Sequence, residues 1–397
     1  MASSLDRDTI VGVLGAGAMG AGIARVAATA GHQVVVVDAS AEQQDRARAE
    51  LERALQREVA KGRMSGDEAR ALQDRIDFDR AERASSMGEF ERCGIVIEAI
   101  VEKLDVKRGA FEQMERAVSP HCVLATNTSS LSVTSIAAAC ERPERVIGVH
   151  FFNPAPVMPL VEIIGGVATD GDVLAATRAL VDSWGKTTVV AADTPGFIVN
   201  RIARPFYGEA IRLLEEGAAS AATIDWAMRE VGGFRMGPFE LMDFIGHDVN
   251  FAVTRSVFEA FFYDPRYKPS FTQQRLVEAG RLGRKTKRGF YDHGDGAVLP
   301  SPDEDRALGA AIVERILCLL INEAVDAVLL RVATPEDIDL AMTKGVNYPR
   351  GLLAWCDSVG ADRVLGVLDS LQHEYGDDRY RPSALLRRMA RDGARFF

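Results

Sequence analysis

Ile10-Val11-Gly12-Val13-Leu14-Gly15-Ala16-Gly17-Ala18-Met19-Gly20 decides how this 397-residue chain is read. Five residues suited to a buried strand run straight into G-x-G-x-x-G, and an apolar-periodic segment then continues to about Ala30. This is strand, tight turn and helix in the context that binds a dinucleotide. Gly15 permits the turn, Gly17 lets a pyrophosphate approach the backbone, and Gly20 brings helix and strand together. The helix N-terminus adds free N–H groups and partial positive charge. Gly15, Gly17, Ala18, Met19 and Gly20 are therefore the expected cofactor-binding residues of this turn.

The next β-branched run, Val34 to Val37, ends in Asp38, eighteen residues after Gly20. A carboxylate there accepts the two hydroxyls of an adenosine ribose and repels a 2′-phosphate, and Ala39-Ser40 supply no arginine to compensate, so NAD is expected rather than NADP. Further runs follow at Ile95 to Ala99, Val123 to Thr126, Val146 to Val149, Val161 to Ile164 and Thr188 to Val190, alternating with amphipathic stretches. That alternation predicts an α/β Rossmann-type, doubly wound, mostly parallel sheet over residues 1–192. From 193 the β signal gives way to helical periodicity, with Asp193 or Thr194 read as the cap and Pro195 as the first helical residue. A helical domain is expected over 193–292 and a linker over 293–304.

Residues 305–397 then repeat that helical domain. Displaced by 114 positions, Glu209-Ala210, Ile224-Asp225, Ala227-Met228, Gly237, Asp243, Gly246 and Asp248 recur as Glu323-Ala324, Ile338-Asp339, Ala341-Met342, Gly351, Asp357, Gly360 and Asp362. With one residue deleted, Arg266-Tyr267-Lys268-Pro269-Ser270 recurs as Arg379-Tyr380-Arg381-Pro382-Ser383. Two all-α copies suggest pairwise packing rather than a solenoid, which needs three or more repeats.

The net charge of −10 disfavours nucleic acid as a partner. Arg281, Arg284, Lys285, Lys287 and Arg288, and separately Arg57, Lys61 and Arg63, leave small phosphorylated ligands open beside the plainer reading of solvated surface. No eighteen-residue apolar run exists, and the stretch Met1 to Asp8 lacks the apolar segment of a signal peptide, so neither membrane nor export is expected. Five scattered cysteines form no C-x-x-C pair, which argues against disulfides and a zinc site and fits a reducing, cytoplasmic setting.

Three segments carry the chemistry: Asn127-Thr128-Ser129-Ser130-Leu131, His150-Phe151-Phe152-Asn153-Pro154-Ala155-Pro156-Val157-Met158-Pro159-Leu160-Val161-Glu162, and Thr194-Pro195-Gly196-Phe197-Ile198-Val199-Asn200-Arg201. From these residues the chain resembles the 3-hydroxyacyl-CoA dehydrogenases, from Thr9 through Arg284-Lys285-Thr286-Lys287-Arg288-Gly289-Phe290-Tyr291, with the tail resembling a second family C-terminal domain. Hydride removal from a secondary alcohol needs a base for the hydroxyl proton, and histidine has the right proton affinity near neutrality. His150 closes a strand at its C-terminal end, where open α/β sheets hold ligands, and Glu162 is the carboxylate expected to orient it. Ser129 and Asn200 are expected on the reacting oxygen. Each residue alone fits a cap or turn; together they favour a catalytic site, and the resemblance implies oxidation of a (3S)-3-hydroxyacyl-CoA to the 3-oxo thioester.

The resemblance further implies NAD contacts at Glu102, Lys107, Ser129, Asn153 and Lys285, and a contact of Lys61 with coenzyme A phosphates, although a serine that relatives carry near that lysine is Ala54 here. In single-copy relatives the helical domain is the dimerisation surface, so the second copy is expected to take a partner's place in an internal pseudo-dimer, whether the chain is a monomer or a homodimer. It has Glu314 at the position of Asn200, and the chain stops before any counterpart of Gly283 to Tyr291. Two other readings stay open: a dehydrogenase of a free hydroxy or sugar acid, and a non-catalytic NAD-binding or structural protein. Acyl length and pathway, whether fatty-acid oxidation, hydroxybutyrate metabolism or aromatic degradation, are not legible, and no crotonase-like segment is present.

Overall fold

The computed structural model describes residues 5–78 and 87–397, so Met1 to Ser4 of the N-terminal stretch read above lie outside the described residues. The chain divides into two compact units, Met1–Thr194 and Pro195–Phe397.

The first unit is one sheet of eight strands: β1 Val11–Leu14, β2 Val34–Val37, β3 Ile76–Phe78, β4 Ile95–Glu98, β5 Val123–Thr126, β6 Val146–Phe151, β7 Leu160–Gly165 and β8 Thr187–Ala192. Their order is β3-β2-β1-β4-β5-β6-β7-β8. The first six strands are parallel, β7 runs antiparallel to β6, and β8 is parallel to β7. Interior strands such as Val11–Leu14 and Val123–Thr126 are buried at every position, because helices cover both faces. Those helices are α1 Ala18–Thr29, α2 Ala41–Ala60, α3 Gly66–Gln73, α4 Leu104–Ala117, α5 Val133–Ala137 and α6 Gly171–Ser183.

Asp193 does not cap the helix that follows it. Its carboxylate accepts from Ser132 Oγ and from the N–H groups of Val133 and Thr134, so it serves the N-terminus of α5 instead. Pro195 to Ile198 form turns, with Phe197 at φ 48°, and helix begins only at Val199.

The second unit is helical: α7 Val199–Ile202, α8 Arg204–Glu215, α9 Ala221–Trp226, α10 Pro238–Ile245, α11 His247–Ala260, α12 Phe271–Glu278, α13 Arg306–Leu329, α14 Pro335–Gly345, α15 Leu352–Val359, α16 Ala361–Tyr375 and α17 Ala384–Asp392. The sequence repeat is matched in these bounds: α10 shifted by 114 is α15, and the start of α12 shifted by 113 is the start of α17. Equivalent residues do equivalent work. Asp225 accepts from Phe239 N and Glu240 N at the start of α10, and Asp339 from Leu353 N and Ala354 N at the start of α15.

The copies meet through reciprocal polar contacts. Arg201 Nε donates to Glu323 Oε1 at 2.6 Å, and the Tyr267 hydroxyl donates to the same carboxylate. In mirror fashion Arg315 Nε donates to Glu209 Oε1 at 2.5 Å and the Tyr380 hydroxyl at 2.8 Å. Residue i meeting j′ while j meets i′ is the signature of an isologous contact, here made within one chain.

One expectation about the second copy needs correction. Asp243 accepts from Phe290 N and Tyr291 N, and Asp357 accepts from Phe396 N and Phe397 N, so the tail does supply a counterpart to Phe290-Tyr291. Only the basic turn before it has no equivalent.

Candidate active site

The cofactor end is built by the first βα turn. Gly15 has φ 104°, a conformation side chains avoid, and a Cβ on Gly20 would lie 1.8 Å from the Gly15 carbonyl oxygen. A Cβ on Gly17, by contrast, would meet no protein atom within 4 Å, so close packing within the protein does not require glycine there; close approach of a ligand does. Gly17 is the N-cap of α1 and makes no side-chain cap, which leaves the first-turn N–H groups, including those of Ala18 and Met19, for an anion. A cleft of about 570 Å³ opens here, lined among others by Gly15, Gly17, Asp38, Ile100 and Val106. Asp38 is fixed in it by the N–H groups of Ala16 and Ser40 at 2.7 and 2.8 Å, while Ser40 rather than Asp38 caps α2. A glycine cradle, an open helix end and an anchored carboxylate fit NAD.

At the C-terminal edge of the sheet the strand register creates a dyad. In the antiparallel β6–β7 pair His150 stands directly opposite Glu162, so their side chains share one face. His150 Nδ1 and Glu162 Oε2 are 2.7 Å apart, with side chains 6% and 0% exposed. The imidazole also packs against Phe152, ring centres 4.5 Å apart. A carboxylate on Nδ1 fixes the ring and favours the tautomer whose proton lies on that nitrogen, leaving Nε2 with base character.

Ser129 lies on the loop after β5, which hangs on Glu102. Oε1 of Glu102 accepts from Thr128 Oγ1 at 2.5 Å, Ser129 N at 3.1 Å and Ser130 Oγ at 3.0 Å. Burial works against ionisation of Glu102, but the Lys107 ammonium and those hydroxyls outweigh it and hold the carboxyl below the usual range. Lys107 is itself buried. Its Nζ contacts Glu98 Oε1 at 2.6 Å and Glu102 Oε2 at 3.2 Å, so it acts inward, on the loop's anchor. Glu98 is not singled out by its sequence, yet it is fully buried and also accepts from Ile100 N and Thr126 Oγ1. The one visible clue is a single acid ending the apolar run Ile95-Val96-Ile97. Asn127, likewise unassigned from sequence, accepts the Phe151 N–H at 2.8 Å and ties this loop to the strand of His150.

Matches to family models cover nearly the whole chain: 3-hydroxyacyl-CoA dehydrogenase, NAD binding domain, at residues 10–194, and the C-terminal domain of the same family at 196–293 and again at 312–395. The chain belongs to the 3-hydroxyacyl-CoA dehydrogenase family. It is therefore an NAD-dependent oxidoreductase of that family. It is 39% identical to 3-hydroxyadipyl-CoA dehydrogenase of Escherichia coli strain K12, an alignment covering 96% of this chain and 97% of that protein. With 3-hydroxybutyryl-CoA dehydrogenase of Bradyrhizobium diazoefficiens it shares 43% identity over 73% of this chain and 97% of the relative. The crystal structure of 3-hydroxybutyryl-CoA dehydrogenase from E. coli K12 superposes with a TM-score of 0.90 at 39% identity, covering 97% of this chain and 98% of that one.

The remaining expected site residues of this family member are dispersed. Asn153 is exposed on the loop between β6 and β7, which Lys186 Nζ holds by the carbonyls of Ala155 and Met158 at 2.6 and 2.8 Å. Lys61 is exposed at the C-terminus of α2, a 20-residue helix and hence about 30 Å of rise from Ser40. In the second unit, Asn200 lies in the short helix α7. Lys285 sits in the turn after α12 and pairs with Asp248 at 2.5 Å. Of the other basic residues in that turn, Arg284 pairs with Glu240, Lys287 with Asp295 and Arg288 with Asp292, which weakens the case for a phosphate-binding patch. The turn is pinned by Asp243, which also takes His247 Nε2 at 2.7 Å and His293 Nε2 at 2.8 Å. His293, expected in a linker, is thereby part of the first helical copy. All five cysteines are free, and no helix among the described residues is long and apolar enough to cross a membrane.

Proposed function

We propose that the chain oxidises (3S)-3-hydroxyacyl-CoA thioesters of short acyl length, with His150 as the general base. The observation that carries this is the His150–Glu162 contact of 2.7 Å, set by strand pairing at the ligand-binding edge of the sheet. NAD, when bound, supplies the hydride acceptor. Gly15, Gly17, Ala18, Met19 and Gly20 hold its phosphates and Asp38 its ribose, with Glu102, Ser129, Asn153 and Lys285 as further contacts and Lys107 acting through Glu102. His150 takes the hydroxyl proton, Glu162 stabilises the resulting imidazolium, and Ser129 and Asn200 hydrogen-bond the oxygen as it becomes a ketone. Lys61 contacts coenzyme A.

The relatives named for 3-hydroxybutyryl-CoA and 3-hydroxyadipyl-CoA support a short acyl chain. Free buried cysteines support a reducing, cytoplasmic setting. The division into 1–192, 193–292 extended by His293, a linker to residue 304, and 305–397 belongs to the same proposal, with the second copy standing where a partner's helical domain would pack. The reciprocal arginine–glutamate contacts support that arrangement.

His150→Gln tests the assignment. The variant is expected to bind NAD like the native protein and to lose nearly all turnover; substantial residual oxidation would refute the base. Replacing the thioester by the free hydroxy acid should abolish activity, and comparable rates on both would favour a free-acid dehydrogenase.

A further inference from the structure

Helix α8 opens with an arginine that the packing of the helical unit does not require. Arg204 is 6% exposed, and among the described residues it has no carboxylate partner. Its contacts are to neutral groups: Nε donates to the Asn200 carbonyl at 2.8 Å, one η nitrogen donates to Thr254 Oγ1 at 3.0 Å, and the guanidinium carbon lies 5.0 Å from the Tyr207 ring centre. Two of the five donors of a guanidinium are thereby used. Burial lowers its proton affinity, and only the facing Tyr207 and Tyr348 act against that. Tyr348 is buried beside it, and its hydroxyl has no hydrogen-bond partner among the described residues.

The internal repeat provides a control. At the equivalent places of the second copy Arg204, Tyr207 and Thr254 are replaced by Cys318, Ile321 and Leu368, and Tyr348 corresponds to Phe234 in the first. All four of those are buried too. The same scaffold therefore packs with apolar side chains at every one of these positions. A buried charge without a counter-ion and a buried hydroxyl without a partner each cost stability, so their presence on one side only points to a ligand that satisfies them.

We propose that Arg204 and the Tyr348 hydroxyl bind a carboxylate at the far end of the acyl chain, making the preferred substrate a short 3-hydroxydicarboxylyl-CoA. A guanidinium takes a carboxylate in a two-pronged, charge-assisted contact that its neutral partners leave open. Arg204 sits one helical turn beyond Asn200 and holds its carbonyl, which sets the anion a few carbon atoms from the reacting alcohol. This placement rests on Asn200 contacting the substrate.

The test uses the full chain with two six-carbon thioesters, 3-hydroxyhexanoyl-CoA and its ω-carboxylated analogue. In the native protein kcat/KM for the carboxylated thioester should exceed that for the other by about 100-fold. That ratio should fall at least tenfold in Arg204→Met. Tyr348→Phe, which copies Phe234 and keeps the fold where the arginine variant fails to, should lower it several-fold. A ratio near one in the native protein, or an equal drop on both thioesters in both variants, overturns the proposal while leaving the dehydrogenase reading intact. Failure to oxidise either thioester despite NAD binding overturns both.

Discussion

Exchanging Glu162 for glutamine keeps the volume and the cross-strand position opposite His150 while removing one buried negative charge. The native contact is 2.7 Å between atoms, with the side chains 6% and 0% exposed, so bulk water screens it little. When the imidazole becomes protonated, its charge centre and that of the carboxylate are roughly 4 Å apart, which at an effective dielectric constant of about 20 is worth about 4 kcal/mol. At about 1.4 kcal/mol per decade, the transition state loses roughly a thousandfold in rate. The neutral amide can also donate to Nδ1, which selects the wrong tautomer and adds to the loss. The assay is NADH production from a short 3-hydroxyacyl-CoA, together with NADH consumption from the 3-oxo thioester. Both directions share one transition state, so kcat/KM should fall by the same factor in each, with NAD affinity within about twofold of native. A variant within threefold of native turnover in both directions would show that the carboxylate holds the ring for packing alone, and the base assignment would lose its support.

Asp38→Ala should raise the KM for NAD roughly tenfold to a hundredfold, the worth of one or two charge-assisted hydrogen bonds, and narrow the preference over NADP; unchanged cofactor kinetics would contradict its role. Glu323→Gln should destabilise the helical unit by about 1.5–3 kcal/mol in urea unfolding, because buried Arg201 is left with Asp326 alone at 3.2 Å, and Glu209→Gln should do the same through Arg315, which is left with Glu216 at 3.1 Å; a loss below about 0.5 kcal/mol in both would show the contacts to be dispensable. Burial pushes the Asp225 carboxyl up from 3.8 to about 7 despite donors from Tyr291, Phe239 and Glu240. Its folded-state proton affinity is raised, so its contribution to stability is full below pH 3.8 and is lost as pH rises through about 7. Asp225→Asn should flatten the decline in unfolding free energy across that window, by at most about 4 kcal/mol; an unaltered pH slope would count against it.

Much of the molecule is legible in its residues, for identifiable reasons. Val34 to Val37 and Val123 to Thr126 appear with the bounds their apolar runs suggest, because central parallel strands are buried on both faces and leave an unbroken signal. β3 leaves no such trace, since Ile76–Phe78 is too short to show any period. Asp193 misleads because an aspartate two residues before a proline looks like the cap of the next helix, whereas its actual clients lie some sixty residues earlier. The dyad is foreseeable from residue types, but the directness of its contact depends on register. Arg204 is opaque because a basic residue in an amphipathic helix reads as surface, and only packing reveals a buried one. The counterpart of Phe290-Tyr291 escapes notice because the second copy lacks the basic turn, so the displacement falls from 113 to 106 and a fixed register no longer pairs it with Phe396-Phe397.

The mirrored Arg201–Glu323 and Arg315–Glu209 contacts join two segments of one polypeptide. Two separate molecules hold such a seam only above a threshold concentration, whereas a covalent tether keeps its halves together at any dilution. Fusion also breaks the rule that both faces of a twofold seam must mutate in step. One half can surrender Asn200 and Arg204 for Glu314 and Cys318 while the other retains them, so the chain can specialise each side for a separate task.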